Sequence, residues 1–432
     1  MSEVMEVSGL SAPAQALFAE RGDSSELLAM RSAALSVYEQ LPAPKYEKSD
    51  ISRRKMDAFS LQVAPAFMPD ETWKSLAQPY FEADSEHPML VVQDGQVVYT
   101  RGTQDLERLG IRFLPIREAA RQYPNDVLTR LHQAVPYDQD KWLALQAGLW
   151  NEGVYVYVPK GVICPHPLQF IHVVLEGGRG SFVHNLVVGG EQSEVTLLET
   201  YLAAQDLTDN LHIGVSEVFV GAGAKVTDGV VQDLPRHSTA VIVRRAIVER
   251  DGSMDWVLGE VGDGYTVAEV GSRLVGTGSH STSHTVALGS GRAHADMTAR
   301  MVHEAKFTES DTTARGVMQG RANAVYRGVT HILKGASGSN GQQSEKLLMM
   351  SKESRADAIP MLLIDENDVK CGHAASVGQI NEEQLFYLMS RGVSEAEAKR
   401  MVVWGFLDPV LAKLPLSTMR TAVERVLERK MK

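Results

Sequence analysis

Between Gly153 and about Met350 the chain reads as a succession of short, apolar, β-branched runs at 154–158, 170–175, 181–188, 194–201, 215–220, 240–248, 254–261 and 265–275. Turn chemistry separates them: Glu176, Gly177 and Gly178; Gly189 and Gly190; Gly221, Ala222 and Gly223; Arg250, Asp251 and Gly252; Gly276, Thr277 and Gly278. One proline, Pro235, stands between Pro167 and Pro360, so little interrupts a strand ladder. The glycine turns at 189, 221, 252 and 276 recur at intervals of 32, 31 and 24 residues. A propeller requires a four-strand blade signature that is missing, and a sandwich of this length is conceivable. The recurring coil length favours a parallel β-helix, whose coils bury their apolar faces only by stacking.

Other patterns flank this core. Leu17, Phe18, Leu27, Leu28, Met30, Leu35, Val37 and Tyr38 give residues 11–40 a helical stripe, which Pro42 and Pro44 stop. Two apolar runs around Asp94 and Gly95 signal a hairpin over 89–100, and a second helical region spans about 116–150. Past residue 380 the pattern is helical again. Asn381 caps a helix with Gln384 at the capping-box offset, Gly392 stops it, Ser394 opens a second helix, and a third runs over 417–430. The expected organisation is a mixed α/β module over 1–152, the β-helix over 153–365 and a helical module over 366–432.

The composition is that of an ordinary globular chain, with 44% apolar and 22% charged residues among 432. A formal charge of −11 with no basic tail disfavours nucleic-acid or anionic-membrane binding. No apolar run approaches the ~20 residues that span a bilayer. The acidic start, residues 1–6, does not read as a secretory signal, so a cytoplasmic location with reduced thiols is expected. Two cysteines, Cys164 and Cys371, make no disulfide framework.

Nucleotide and nucleophile motifs fail. There is no Gly-Lys dipeptide for a Walker loop, and Val226 and Ser281 replace the third glycine of a dinucleotide fingerprint. There is no Gly-x-Ser-x-Gly elbow. Each cysteine has a histidine two residues on, His166 and His373, and in extended chain both side chains of such a pair point the same way. For Cys164 and His166 the plain reading is a half-buried thiol beside a surface imidazole. His280, His284, His294 and His303 read as polar residues of a solvated sheet, and His184 and His331 have no acidic or thiol neighbour in sequence. The acidic run 365–368 reads as a solvated turn. A β-helix hydrolase would need paired carboxylates on one sheet, for which Asp228, Asp233, Asp255, Glu260 and Glu269 are the candidates.

The segment from Ser351 to Pro360, then Val369-Lys370-Cys371-Gly372-His373-Ala374-Ala375-Ser376-Val377-Gly378-Gln379-Ile380 and Gln384-Leu385-Phe386-Tyr387-Leu388-Met389-Ser390-Arg391-Gly392, closely resembles the SufB/SufD family of iron–sulfur cluster assembly scaffolds in the SUF system. Residues 41–46 and the absence of a cysteine near Ser344 and Glu345 resemble the SufD branch. The resemblance implies a mainly β chain with a right-handed parallel β-helix core. It implies a non-catalytic scaffold within a SufBCD complex, pairing with a SufB-like paralogue, with ATP hydrolysis in a SufC-like ABC ATPase docked on the C-terminal helices. A sulfur donor system would act indirectly, and the isolated chain could form a homodimer. His373 would lie at the subunit interface and take part in building a transient cluster. Cys371 would assist at a position where family members carry cysteine or alanine. The resemblance also implies a reduced flavin at the level of the complex, with no residue of this chain assigned to it. Leu385, Phe386, Leu388, Met389, Val402, Val403 and Phe406 form the expected partner-facing surface. A purely structural subunit and the hydrolase are the competing readings.

Overall fold

The computed structural model describes residues 10–57, 59, 71–81, 87–178, 180–208, 210–413 and 417–431; the acidic start at 1–6 lies outside them. The N-terminal third contains helices α1 (Ser11–Glu20), α2 (Ser25–Gln40) and α3 (Thr72–Ala77), and the hairpin β1 (Met89–Gln93) and β2 (Gln96–Arg101). It continues with α4 (Thr103–Arg108), β3 (Arg112–Pro115), α5 (Ile116–Gln122), α6 (Pro124–Leu128) and α7 (Lys141–Leu149). The central strands are β4 (Val154–Val158), β5 (Leu168–Val174), β6 (Ser181–Gly189), β7 (Glu194–Ala203), β8 (Asn210–Val220), β9 (Lys225–Asp233), β10 (Ser238–Val248) and β11 (Ser253–Glu260). They continue as β12 (Tyr265–Leu274), β13 (His280–Gly289), β14 (His294–His303), β15 (Glu309–Met318), β16 (Asn323–Ile332), β17 (Asn340–Met349), β18 (Arg355–Ile364) and β19 (Lys370–Gln379). Helices α8 (Glu382–Ser390), α9 (Glu395–Leu411) and α10 (Ser417–Lys430) follow.

From β4 on, consecutive strands alternate between two sheets. The ten-stranded sheet runs β19-β17-β15-β13-β11-β9-β7-β5-β1-β2, and the nine-stranded sheet runs β18-β16-β14-β12-β10-β8-β6-β4-β3. From β4 to β19, strand pairs within each sheet are parallel, which makes the core a β-solenoid. Lys225, Ser253, His280, Glu309, Asn340 and Lys370 stack in one register, so successive coils take 28, 27, 29, 31 and 30 residues.

Side chains of alternate parity fill the interior: Val226 and Val230, Met254, Trp256 and Leu258, Val270 and Leu274, Ala324 and Tyr326. Each fully buried aliphatic side chain of this kind contributes about 1.5–3 kcal/mol. The other parity of the earlier coils is also apolar, because helices cover it. Val403, Leu407, Val410 and Leu411 of α9 and Val423 and Leu427 of α10 pack on Leu202, Val231, Val261, Leu288 and Val317 of the ten-stranded sheet. The N-terminal helices cover Leu186, Leu211, Ile213 and Val241 of the other. Strands buried on both faces read as continuous apolar runs, which is why these coils stand out in the sequence.

Three sequence expectations need correction. Strand β9 was not among the expected runs, because Asp228, Gly229, Gln232 and Asp233 break its apolar character. In strands β13 to β17 several buried positions are themselves polar, among them Ser281, Ser283, Thr285, Ser310 and Thr312, so what apolar runs they have are short. The helical module begins at Glu382 and not at residue 366. The acidic residues 365–368 form the turn between the last two solenoid strands, and β19 lies beyond them. The N-terminal strands β1 and β3 join the two sheets as well, through pairing of β1 with β5 and β3 with β4.

Candidate functional site

The solenoid ends on β18 and β19, which pair with β16 and β17 on one side only. Along β19, the amides of Lys370 and Ile380 donate to Ser339 and Met349. Even-numbered residues therefore point their backbone groups at β17, and Cys371, His373, Ala375 and Val377 point theirs outward, into an unpaired edge. On β18 the amides of Arg355 and Asp365 face β16, so the outward positions are even and include Pro360. A proline without an N–H is tolerated only at such an edge position. Leu363, Ile364 and Val377 are exposed there.

Parallel register also fixes side-chain direction. Gly341 pairs with Cys371, Gln343 with His373 and Glu345 with Ala375. Gln343 and Glu345 are buried inside the solenoid, so Cys371 and His373 continue the inner face at its open end. Their Cα atoms stand about 6–7 Å apart along the strand. Cys371 is half-buried, and burial pushes its thiol above the ordinary value. His373 is exposed. One coil deeper, burial lifts the Glu345 carboxyl to about 7. Neither Glu345 oxygen has a hydrogen-bond partner, and neither does Gln343 Oε1. Gln343 Nε2 donates to Thr330 Oγ1 at 2.6 Å.

A second set of titratable groups is buried at the other end. His132, His184 and Glu217 are, among the described residues, the one group of three metal-competent side chains with ligand atoms within 4.8 Å of one another. Glu217 already accepts from the amides of His132 (2.6 Å), Ala134 (2.7 Å) and Val135 (2.9 Å), and His184 Nε2 lies 2.9 Å away. Four contacts saturate a carboxylate. Gln146 Nε2 approaches His184 Nδ1 at 3.3 Å, which leaves Nε2 to carry the proton. Burial, the largest single influence, would raise the Glu217 carboxyl, but the hydrogen bond and charge interaction with His184, the charge interaction with His132 and the Val135 amide together outweigh it and hold the group below its ordinary value. Burial drives His132 down to about 3. The cluster is a hydrogen-bonded pin that fastens the turn at 132–135 to β8.

Inside the first coils His172 Nε2 lies 2.6 Å from Glu152 and 3.2 Å from Ser181 Oγ. One ring nitrogen serves both, so this is no Glu-His-Ser relay, which needs two. Asp228 is buried without a partner, and burial holds its carboxyl well above the ordinary range.

The remaining sequence candidates disperse. Cys164 is half-buried and its Sγ donates to the His166 carbonyl at 3.2 Å. His294 stacks on Tyr265 at 4.2 Å, and His303 bonds Thr308 and Ser310. His331 meets Asp365 at 3.0 Å. The hydrolase carboxylates share no groove: Asp228 and Glu260 are interior, Asp233 binds Tyr80 and Arg429, Asp255 accepts from Thr282, and Glu269 pairs with Arg245. On the C-terminal helices, Leu385 and Val403 are buried within this chain, and Val402, Leu388 and Phe406 are partly covered. Phe406 stacks on Arg315. What stays exposed is Phe386 (73%), Tyr387 (58%), Met389 (43%) and Met401 (49%). Asn381 caps α8 and Ser394 caps α9, as their sequence signals imply. No described helix is long and apolar enough to cross a membrane.

Residues 172–406 match the family model described as SUF system FeS cluster assembly, SufBD core domain, and residues 14–170 match the SufBD protein N-terminal region. The chain belongs to the SufBD family. It is 35% identical over 413 residues, 93% of either chain, to the iron-sulfur cluster assembly protein SufD of Bacillus subtilis. To SufB of the same organism it is 28% identical, over 90% of this chain and 86% of that one. A SufBD family protein of Staphylococcus epidermidis is 29% identical over the same shares. Within the family its similarity is therefore to SufD more than to SufB.

Proposed function

We propose that this chain is a scaffold subunit on which an iron–sulfur cluster is built, and that it pairs through the open end of its solenoid with a SufB-like paralogue. The observation that carries this reading is the unpaired edge of β19, with Cys371 and His373 on its inner face. Long unpaired edges are normally blunted, since they template association. A SufB-like chain, similar along most of its length, would offer an end of the same kind and complete both ladders. The His373 imidazole then offers a ring nitrogen to iron, the incoming substrate. The half-buried Cys371 thiol, pushed up by burial, would give up its proton to a metal.

The exposed apolar side chains of α8 and α9, Phe386, Tyr387, Met389 and Met401, suit docking of a SufC-like ABC ATPase, where ATP would be hydrolysed. Sulfur would reach the edge from a donor system acting on the assembled complex. No described residue is assigned to a reduced flavin.

The test is iron and acid-labile sulfide in the complex purified anaerobically with its SufB-like and SufC-like partners. His373→Ala should keep the complex intact and lower both elements by about tenfold or more, the usual cost of removing a metal-ligating group or its support. Full loading in an intact His373→Ala complex would make this chain a geometric support whose partner supplies every ligand.

A further inference from the structure

We propose that Glu345 and Gln343 form an oxygen-ligand seat for one divalent cation, one coil beneath His373, and that in the assembly reaction proposed above this cation is iron(II). The inference rests on that reading for the identity of the metal and on the structure for the seat. Glu345 is fully buried on the inner face of β17, between Ala314 of the preceding coil and Ala375 of the last. Alanine on either side shows that this position could hold a small apolar side chain. An ionisable side chain there without a partner costs several kcal/mol unless something compensates it.

The unpartnered atoms share one character and one location. Glu345 Oε1, Glu345 Oε2 and Gln343 Oε1 are all acceptors, and Gln343 is itself only 4% exposed. Across the interior, β16 carries Gly328. A Cβ at that position would stand 2.1 Å from Glu345 Oε1 and 2.9 Å from Gln343 Oε1, so both oxygens converge over bare backbone. The Gln343 amide is oriented by its bond to Thr330, which turns the carbonyl oxygen into this space. Three unpartnered acceptors face one space in which the Tyr326 hydroxyl, also unpartnered, is a neutral donor that feels the Glu345 charge, so a cation would complete the set. Carboxylate and amide oxygens are hard ligands that suit Mn²⁺ and Fe²⁺. The seat lies directly under the edge where Cys371 and His373 end the inner face, the position from which a cation could be handed outward.

The full-length chain, stripped of metal and kept anaerobic, is titrated with Mn²⁺, an oxygen-seeking probe visible by electron paramagnetic resonance, and then with Fe²⁺. Wild type should bind one Mn²⁺ and melt at a higher temperature as Mn²⁺ is added. Glu345→Gln should bind at least about tenfold more weakly and lose the metal-dependent rise. Without metal it should melt at or above wild type, because an unpartnered acid is gone. Gln343→Met, which keeps the carboxylate, should weaken Mn²⁺ binding without removing it. His373→Ala should bind Mn²⁺ as wild type does. Equal Mn²⁺ affinity in wild type and Glu345→Gln overturns the seat and leaves the assembly reading untouched. Undiminished cluster loading in His373→Ala overturns the reading of the edge, and the Mn²⁺ titration still decides the seat.

Discussion

Ala375→Pro should leave the isolated chain folded and weaken its pairing with a SufB-like chain by roughly tenfold to a hundredfold. The Ala375 amide points away from β17, so its loss breaks no bond within the solenoid. In a completed ladder the same amide would donate to the partner strand. Leaving that acceptor unmet costs about 1–3 kcal/mol, and each 1.4 kcal/mol is tenfold in Kd. Ala374→Pro is the control. Its amide faces β17, so a proline there removes a bond of the chain's own ladder and should destabilise the last coil. Circular dichroism reports the fold of each variant and a binding titration the pairing. Equal affinity of Ala375→Pro and wild type would place the interface elsewhere.

Glu217→Ala should be among the most damaging single changes in the N-terminal half. It leaves three turn amides and the His184 Nε2–H without their acceptor in a fully buried site. Removing one partner from such a buried network costs about 3–5 kcal/mol. Trp150 packs 5.9 Å from the His184 ring, so its fluorescence should report the loss locally in a urea titration. The same pin sets a pH dependence. The Glu217 carboxyl is held below its ordinary value, so its contribution is complete above the unfolded value of 4.5 and fades as pH falls through the folded one. Glu217→Ala should therefore flatten the acid limb of the stability profile. An unchanged urea midpoint would show that the turn at 132–135 is held by its apolar contacts alone.

The solenoid was legible where both faces of a strand are covered, because helices packed outside and neighbouring coils inside both demand apolar side chains. It faded where the helices cover only part of a strand, as in β13 and β15, and where the interior is polar, as at Ser281, Ser283 and Thr312 and at Asp228 in β9. The helix caps at Asn381 and Ser394 were legible because capping is local. The turn at 365–368 is legible as a solvated acidic segment, but nothing local shows that a strand follows it. Cys371 and His373 were found through family resemblance, and their shared direction follows from strand parity. Glu217 and Glu345 were not found. Each acts with residues that only the coil register brings near: Glu217 with a turn some eighty residues earlier, Glu345 with Gly328 across the interior. The one sequence signal available was a glutamate at an inward position of a strand, and recognising it needed the register first.

The central claim is that β19 is the strand on which a second chain of this family docks. Amide hydrogen exchange over residues 370–379, measured for the chain alone and with a SufB-like partner, tests it directly. The outward amides of Cys371, His373, Ala375 and Val377 lack a strand partner in the isolated chain and should exchange fast. In the complex they should slow by about tenfold or more, while the inward amides, already bonded to β17, change less. Binding that leaves these four amides as fast as before would contradict the account.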